Sequence, residues 1–407
     1  MENKNTPKLR FKEFTDEWQG KKLGDISDLI TKGTTPTSVG FVFLREGINF
    51  IKAENISKNG FIDIESTPKI SVECNESLKR SQLQQDDLLF SIAGTLGRTA
   101  TVQKKDLPAN TNQALAIVRL MKENNLGFIH LFLNLPVIKR RVYQILSIGA
   151  QPNLSLEQVG DFKISLPSRS EQQKIADFLG AVDEKIGKLE EKKKAFEKYK
   201  KGIMQAIFSQ MIRFKKPDGS NYPDWEEEEL GSVLVKNSKK NKDKKIILVQ
   251  SVSNTMGFVN QVDYFERIIA SKDLSNYYII EKGTFAYNPS RIDVGSLAYK
   301  CDDRISVISP LYISFRPKPE SINDGYLLSW FSSGEFLKQM NNMFEGSVRH
   351  TLNYDALKQM VINLPSPHEQ EKIAGFLISL VNKVDLTYKQ LEQAKLFKKS
   401  LLQQMFV

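Results

Sequence analysis

Two long stretches of the chain carry apolar residues at alternating three- and four-residue spacing. In the first, the stripe is broken only by Lys193 and Lys200, and its apolar members are Leu179, Val182, Ile186, Leu189, Phe196 and Ile203. The second stripe consists of Leu377, Leu380, Val384, Leu391, Ala394, Leu401 and Met405. Such spacing places one apolar seam along a helix, and two seams in one register predict a coiled coil.

Nearly the same phrase precedes both stripes: LPSRSEQQKIADFL begins at residue 166 and LPSPHEQEKIAGFL begins at residue 364. Both copies contain the S-x-x-E spacing of a capping box, starting at Ser168 and at Ser366, in which the serine caps backbone N–H groups and the glutamate reaches back. Pro367 fits the first helical position, where its missing N–H costs nothing. At 1.5 Å per residue, some 40 residues form a rod of roughly 60 Å, so we predict two long helices.

Short apolar runs between the stripes predict β-strands. They are punctuated by Gly, Pro and Asn and read DLLFSI, ALAIVRL, KIILVQSVS, GTFAYN and PLYISFRP. Each half also contains a predicted amphipathic helix, whose apolar face is formed by Phe128, Phe132, Leu135, Ile138, Val142 and Ile145 in the first half and by Tyr326, Trp330 and Phe336 in the second. We interpret His130, on the first of these helices, as a packed histidine and not a ligand. The segments 20–165 and 227–363 are therefore predicted to be α/β domains.

The chain is a tandem repeat. The match runs without a gap from Gly127 to Phe208 in the first copy and from Gly325 to Phe406 in the second. A further match near the start of each copy places LRF…W…LGDI beside IRF…W…LGSV. These limits predict a first domain over 1–166, a helix over 167–212, a second domain over 213–364 and a second helix over 365–407.

Charge and composition narrow the function. The chain has a formal net charge of +10 and a pI near 9.2, which favours an anionic partner, most commonly nucleic acid. Cys74 and Cys301 have no ligand spacing, so we expect a reducing compartment, no disulfide scaffold and no metal site. The first residues lack a signal-peptide core, and no run approaches the roughly 18 apolar residues of a membrane span. We therefore expect a cytoplasmic protein without a membrane partner.

Motifs for catalysis are incomplete. NPSR at 288–291 begins like the Asn-Pro motif of adenine-N6 methyltransferases, but an arginine stands where an aromatic residue is expected, and no glycine-rich loop is placed to hold a methyl donor. The acidic run at 217–229 lacks the lysine that ends a metal-dependent nuclease motif, and a solvated stretch is the simpler interpretation. The sequence contains no P-loop motif. It therefore favours a binding protein over an enzyme.

Two copies of RF…W…LG, each followed by a domain, by I-x-LPS-x-x-EQ-x-KIA-x-FL and by a heptad helix, resemble the specificity (S) subunit of a type I DNA restriction-modification system. The resemblance covers nearly the whole chain. It implies an α/β fold of two tandem target-recognition domains, separated and joined by two long helices that form an antiparallel coiled coil with internal pseudo-two-fold symmetry. Each domain would read one half of a bipartite, asymmetric DNA site, because a two-fold axis matches the dyad of duplex DNA.

The resemblance also implies the partners. These are double-stranded DNA, two methyltransferase (modification) subunits, and restriction/translocase subunits that join through the assembly. The modification subunits would be bound by the regions that are nearly the same in both repeats. S-adenosylmethionine, ATP and Mg²⁺ are expected in those partner subunits, and no cofactor is expected in this chain. The chain would direct adenine-N6 methylation and ATP-dependent restriction without catalysing either reaction.

Loops of both domains supply candidates for DNA contact. DDLLFSIAGTLGRTA and KGTFAYNPSRIDVGSLA are comparable in place, and each carries an arginine suited to bidentate contact with guanine or phosphate. The full set is Lys32, Thr34, Lys52, Asn55, Thr95, Arg98, Gln151, Tyr287, Asn288, Ser290, Arg291, Arg349 and His350. The alternatives are an arginine salt-bridged at a loop base and a buried tyrosine hydroxyl. The lysine-rich run at 236–245 suits phosphate attraction, or is an ordinary solvated loop.

Two other function classes stay open. One is a stand-alone bipartite DNA-binding protein without methylase partners, and the other is a coiled-coil adaptor that binds no nucleic acid. Binding to DNA measured with and without methylase subunits separates these classes from the subunit that the resemblance implies.

Overall fold

Both long helices and both domains are present in the computed structural model of the chain, which describes residues 6–57, 59–148, 153–261, 271, 273–344 and 350–407. The chain divides into two units, one formed by residues 1–190 with 390–407 and the other by residues 191–389. Each unit therefore combines one domain with part of each long helix.

The first unit is built on a four-stranded antiparallel sheet. The strands of the whole unit are β1 (Gln19–Lys22), β2 (Ser27–Lys32), β3 (Ile48–Ile51), β4 (Lys69–Ile70), β5 (Leu88–Ser91), β6 (Thr99–Thr101), β7 (Ala109–Thr111), β8 (Leu115–Leu120) and β9 (Lys163–Leu166). Its helices are α1 (Val72–Ser77), α2 (Leu126–Leu133), α3 (Pro136–Ile148), α4 (Leu156–Gly160) and the first part of α5 (Arg169–Phe208). The main sheet has the order β2-β8-β5-β6, and a second sheet has the order β4-β3-β7, with β3 and β7 parallel.

The second unit repeats this plan. Its strands are β10 (Glu226–Glu229), β11 (Leu234–Lys236), β12 (Val249–Ser253), β13 (Gly257–Asn260), β14 (Tyr278–Ile280), β15 (Phe285–Tyr287), β16 (Leu297–Tyr299), β17 (Ser306–Ile308), β18 (Ile313–Pro317) and β19 (Val361–Leu364). Its helices are α6 (Leu230–Val233), α7 (Asp324–Trp330), α8 (Gly334–Phe344), α9 (Tyr354–Lys358) and the first part of α10 (Pro367–Met405). The main sheet has the order β11-β18-β15-β16, and the second has the order β13-β12-β17-β14, with β12 and β17 parallel.

The repeat extends to the register of the main sheets. Phe90 in β5 lies opposite Ala116 in β8, and Tyr287 in β15 lies opposite Ile313 in β18. The outer strands close each domain in the same way, because β1 pairs with β9 and β10 pairs with β19 immediately before the long helices. The predicted tandem repeat is therefore confirmed at the level of strand pairing.

The prediction of one continuous amphipathic helix in each half is wrong, because the structure has two shorter helices there. In the first unit the predicted helix is divided into α2 and α3, which meet at Asn134 and Leu135, and in the second into α7 and α8. Pro136 explains the first break, because proline has no N–H for the preceding turn and disfavours a helical residue before it. The predicted apolar face itself is buried in the first unit from Phe128 to Val142.

The seams of the long helices are covered as predicted. None of the seam residues is exposed, and Leu179, Leu377, Leu380, Leu391, Leu401 and Met405 are buried. In the first unit the ion pairs Asp183–Lys398 and Glu190–Lys395 join α5 to α10 at 2.6 and 2.8 Å. Residue numbers rise on one helix as they fall on the other, so the two helices run antiparallel in this unit.

The end of each long helix fills the core of the opposite repeat. Phe406 lies near the end of α10 and stacks on Phe128 at 5.3 Å, while Trp18 meets the Phe406 ring edge-on at 6.3 Å. The end of α5 does the same in the second unit, where Ile207 is buried and Phe208 lies 5.5 Å from the Tyr326 ring. The last turn of the chain is therefore part of the first domain's core.

A buried carboxylate anchors the start of each long helix. The Glu171 carboxylate accepts hydrogen bonds from Arg10 Nε and Nη2, both at 2.7 Å, and this contact raises the pKa of the arginine. The Glu369 carboxylate accepts from Arg213 at 3.3 and 2.9 Å and from the Trp225 indole at 3.1 Å. Bidentate pairing of this kind is strong and directional, so it fixes the preceding segment against the helix.

This pairing corrects the predicted capping boxes. The Ser168 hydroxyl does accept the Glu171 N–H at 3.3 Å, but the two glutamates bind arginines instead of reaching back. The Ser366 hydroxyl is buried and has no hydrogen-bond partner in the described part of the chain. Arginine supplies two charged donors to each carboxylate, which outcompetes a single backbone N–H.

The glutamine that follows each glutamate joins the helix to its domain. Gln172 accepts the Asn125 N–H at 2.9 Å and donates to the Pro167 carbonyl at 3.0 Å. Gln370 makes the corresponding bonds to Asn323 and to the Pro365 carbonyl, both at 2.8 Å. Asn125 and Asn323 cap α2 and α7. One side chain therefore links the first turn of the long helix to the cap of the neighbouring helix.

His130 is packed, as the sequence predicts. Its Nε2 lies 2.9 Å from the Thr99 hydroxyl, and burial lowers the pKa of its imidazole.

Substituting Phe406 tests the shared core. Phe406→Ala should destabilise the first unit by about 3 kcal/mol, which is the low end of the usual cost of truncating a buried phenylalanine to alanine. The Phe406 side chain is only 8% exposed and packs among aromatic rings. Hydrogen exchange should show lost protection in β5 and β8 and unchanged protection in β15 and β18. Phe397→Ala, on the same helix but 55% exposed, is the matched control. Equal loss in both variants would contradict the shared core.

Removing one partner of a buried pair tests the anchor. Arg213→Ala leaves the Glu369 carboxylate buried without its cation, and about 3–5 kcal/mol of stability should be lost in the second unit. Adding Glu369→Gln should recover part of this loss, because an amide is easier to bury than a carboxylate. Lys22→Ala, which breaks the exposed Lys22–Asp161 pair, should have little effect on stability, because water and salt screen such a pair. Urea unfolding checks all three, and similar costs for the two single variants would refute the anchor.

Candidate nucleic-acid interface

The β5–β6 loop of the first unit is held by its own backbone. Ser91 N–H donates to the Arg98 carbonyl at 2.8 Å, and Gly97 N–H donates to the Ser91 carbonyl at 3.0 Å. The Ser91 hydroxyl, inside the loop, donates to the Thr95 carbonyl and accepts the Arg98 N–H. Thr95 is exposed at the turn. The loop therefore presents Thr95 from a fixed frame.

Arg98 ties this loop to its neighbour. The guanidinium is partly buried, and its Nη1 donates to the Ile56 carbonyl at 2.7 Å. The bond joins the β5–β6 loop to the segment after β3, which contains the predicted residues Lys52 and Asn55. The structure thus brings these three predicted residues together. Arg98 makes a structural contact, but with a backbone carbonyl and not the salt bridge that was the alternative to DNA binding.

Other predicted residues of the first unit have internal contacts. Asn55 is buried; its Oδ1 accepts the Lys52 N–H and its amide donates to Ser66. Its side chain therefore closes a turn and is not exposed to a ligand. The Lys52 ammonium lies 4.8 Å from the centre of the Phe43 ring. Lys32 ends β2 half-buried, and Thr34 accepts a long 3.5 Å bond from Arg80.

The corresponding loop of the second unit runs from Asn288 to Ser296. Asn288 N–H donates to the Ser296 carbonyl at 3.1 Å, Arg291 N–H to the Asn288 carbonyl at 3.0 Å, and Ser296 N–H to the Arg291 carbonyl at 3.1 Å. The Asn288 side chain accepts the Ser290 N–H at 3.1 Å. The Asn-Pro turn is therefore a compact support for the exposed side chains of Ser290 and Arg291.

Arg291 and Tyr287 have opposite environments. Among the described residues, the Arg291 guanidinium has no hydrogen-bond or ion-pair partner. Tyr287 is fully buried, burial raises its pKa, and its hydroxyl has no hydrogen-bond partner in the part of the chain that the structure describes. Arg291 is thus available for an external anion, whereas Tyr287 supports the loop from below.

The remaining predicted residues precede α4 in the first repeat and α9 in the second. His350 is exposed, and its ring stacks on Phe344 with centroids 5.2 Å apart. Gln151 and Arg349 lie outside the described residues.

Several lysines of the run 236–245 are engaged within the domain. Lys239 pairs with Glu281 at 2.9 Å and Lys244 with Asp273 at 3.2 Å. Both pairs are largely exposed and are therefore weak and screened by salt. The run matches the solvated-loop alternative more closely than a dedicated phosphate site.

The two candidate arginines are not equivalent. The carbonyl that closes the first loop belongs to Arg98, and the carbonyl that closes the second belongs to Ser296. Arg98 therefore corresponds to Ser296, while Arg291 lies within its loop. The segments are comparable in place, as the sequence suggests, but matching arginines by residue type misassigns their positions because the second loop is one residue longer.

A further loop was missed by the sequence. Asn254, Thr255 and Met256 form the exposed tip of the β12–β13 hairpin and lie next to the Arg291 loop. The run KIILVQSVS predicted the first strand, but the second strand, GFVN, is short and carries little alternation. The turn between them was therefore not recognised as a paired tip.

Two structural findings bear on other functions. No helix in the described part of the chain is long and apolar enough to cross a membrane. Within the described ranges, no group of three or more His, Cys, Asp or Glu side chains is arranged to hold a metal ion.

Comparison with known proteins identifies the family of the chain. The sequence matches the family described as Type I restriction modification DNA specificity domain over residues 15–197 and again over 222–396. The two matches coincide with the two repeats and together cover most of the chain. The chain belongs to this family. Members are DNA-recognition subunits of type I restriction systems and are not the catalytic subunits.

Individual members of the family cover the chain to different extents. The EcoBI specificity subunit of Escherichia coli is 31% identical over 135 residues, which are 32% of this chain and 28% of that subunit. This alignment thus spans less than a third of the Escherichia coli protein. The MjaVIII specificity subunit of Methanocaldococcus jannaschii is 23% identical over 419 residues, covering 97% of this chain and 90% of that protein.

A solved specificity subunit has the same fold. The crystal structure of the S subunit of a type I restriction-modification system from M. genitalium covers 99% of both chains with a TM-score of 0.61 at 14% identity. At this identity the likeness concerns the fold, which extends through both repeats.

Arg291 provides a direct test of this interface. In DNA competition binding, Arg291→Ala should lose about 1–3 kcal/mol of discrimination between cognate and random DNA, because an exposed guanidinium is suited to bidentate base contact. Arg291→Lys should recover charge but not discrimination. Arg304→Ala removes an exposed arginine that is paired with Asp302 and should have little effect. Equal loss on cognate and random DNA would identify Arg291 as a phosphate contact.

Proposed function

We propose that the chain reads a bipartite, asymmetric DNA site and directs adenine-N6 methylation and ATP-dependent restriction by partner subunits. Each domain reads one half-site through the loops at the end of its main sheet. The partners are two modification subunits that carry S-adenosylmethionine and restriction/translocase subunits that use ATP and Mg²⁺, while this chain needs no cofactor.

The observation that carries the proposal is a repeated frame with unlike loops. Both main sheets have the same strand order and register, yet one loop is glycine-rich and the other contains the Asn-Pro turn with Arg291. A shared frame places two readers alike, and different side chains allow them to read different bases. The net charge of +10 supports attraction to the DNA backbone.

Repeated exposed aromatic residues support a partner that binds twice. Tyr199 on α5 is 50% exposed and Phe397 on α10 is 55% exposed. They occupy the same position of the tandem repeat. Aromatic residues are favoured at protein interfaces, so one kind of partner would find one such residue on each long helix.

Exchange of one domain tests independent reading. Replacing residues 227–363 with the corresponding segment of another specificity subunit should change one half-site and leave the other intact. Adenine methylation mapped by single-molecule sequencing, in cells that also express the modification subunits, gives the result. Exchange of residues 20–165 is the reciprocal control. A hybrid that changes both half-sites would refute independent reading.

The same assembly separates the proposal from a stand-alone DNA-binding protein. Tight, sequence-specific binding is expected when the modification subunits are present, and weaker or non-specific binding is expected without them. Equal specificity in both conditions would favour the stand-alone function, and no DNA binding in either would favour an adaptor.

A further inference from the structure

The β12–β13 hairpin of the second unit ends in a tightly held tip. Ser253 lies opposite Gly257, and the three residues between them form the turn. The Ser253 side chain is buried, and its hydroxyl accepts the N–H groups of Thr255 and Met256, both at 3.3 Å. Gly257 has a φ of 69°, a left-handed conformation that glycine adopts without strain. The tip is thus short and well supported.

The tip exposes side chains that contribute little to the fold. Asn254, Thr255 and Met256 are all exposed, and Met256 is 61% exposed. A solvent-facing methionine on a supported turn gains almost no burial energy. Burial in the core therefore does not account for a methionine at this position.

Strand direction brings this tip to the loop of Arg291. β12 and β17 are parallel, so the turns that follow them lie at the same edge of their sheet. β15 and β18 are antiparallel with Tyr287 opposite Ile313, which places the start of the Arg291 loop beside the turn before β18. Direct proximity agrees, because a methyl group added to Gly295 would lie 3.8 Å from the Asn254 carbonyl oxygen.

One edge of the second unit therefore combines exposed apolar residues with an unpaired cation. Val294 and Leu311 are 55% and 77% exposed in the two neighbouring turns, and Arg291 has no partner among the described residues. At the other ends of these strands the cations are paired: Lys282 with Asp303 at 3.0 Å and Arg304 with Asp302 at 3.5 Å. A cation without a partner among the described residues, Arg291, therefore lies in the loop beside the hairpin tip.

We propose that the hairpin tip Asn254–Met256 is a base-reading element for the second half-site, acting beside Arg291. Asparagine can pair with adenine N6 and N7 in the major groove, and an apolar side chain can contact the thymine methyl group. The tip therefore selects an A·T pair next to the position that Arg291 contacts. This inference rests on the proposed function and adds a second, separate reading element to it.

The test uses the full chain assembled with its modification subunits. Asn254→Ala and Met256→Ala should each reduce discrimination at one A·T pair of the second half-site by roughly tenfold, within the range for one base contact. The first half-site should remain unchanged. Ile247→Ala is the matched control, because Ile247 is 81% exposed and precedes β12 at its other end. Methylation of a DNA library, read by sequencing, gives the preference at every position.

Each outcome has one meaning. Unchanged preference in both tip variants would overturn this inference, as would a uniform loss over all sequences or a loss of assembly with the modification subunits at unchanged preference. Unfolding curves that match the wild type show that the tip variants are folded. A wild-type assembly without sequence-dependent methylation would instead overturn the proposed function, and this inference with it.

Discussion

The buried carboxylate at the start of each long helix holds the architecture of each unit together. Glu171 and Glu369 are almost completely buried, and a carboxylate in that position is tolerated only when it is paired and hydrogen-bonded. Arg10 and Arg213 satisfy this requirement from segments that are distant in sequence. Because a bidentate contact fixes both distance and direction, it determines how the segment before each domain meets the helix after it.

This constraint gives the repeated phrase a physical cause within each unit. Its glutamate binds the arginine, its glutamine bridges to the cap of the next helix, and Ile175 and Leu179 are buried in the first core as Ile373 and Leu377 are in the second. Four kinds of side chain must be kept together for one junction to form. Repetition of a bound partner, which the resemblance suggests, therefore adds to a requirement that the fold already imposes.

The sequence predicts what depends on local periodicity and fails where distant groups compete. The long helices, their seams and most strands follow from the spacing of apolar residues, which can be read within each segment without reference to the rest of the chain. The use of Glu171 by Arg10 is not local, so the S-x-x-E pattern predicted a cap for the glutamate that the arginine replaces. Asn55 was predicted from its place on a polar loop, but its side chain is buried and is hydrogen-bonded to Lys52 and, more distantly in sequence, to Ser66. Among the candidate DNA contacts, residue type singled out Arg291 from the sequence, while only strand pairing places the Asn254–Met256 tip beside its loop.

The loops can diverge because backbone groups hold their frames. Ser91 and Asn288 occupy the same position in the two sheets, and each donates its N–H to the carbonyl that closes its loop, Arg98 in one unit and Ser296 in the other. Every residue has a backbone carbonyl whatever its side chain, so an arginine and a serine are equally compatible with this bond. The packing below each loop is also constrained, because the buried Phe90 and Tyr287 occupy equivalent register positions. Side chains at the tip can then vary while the backbone bonds of the frame stay in place, as the proposed reading of two different half-sites requires.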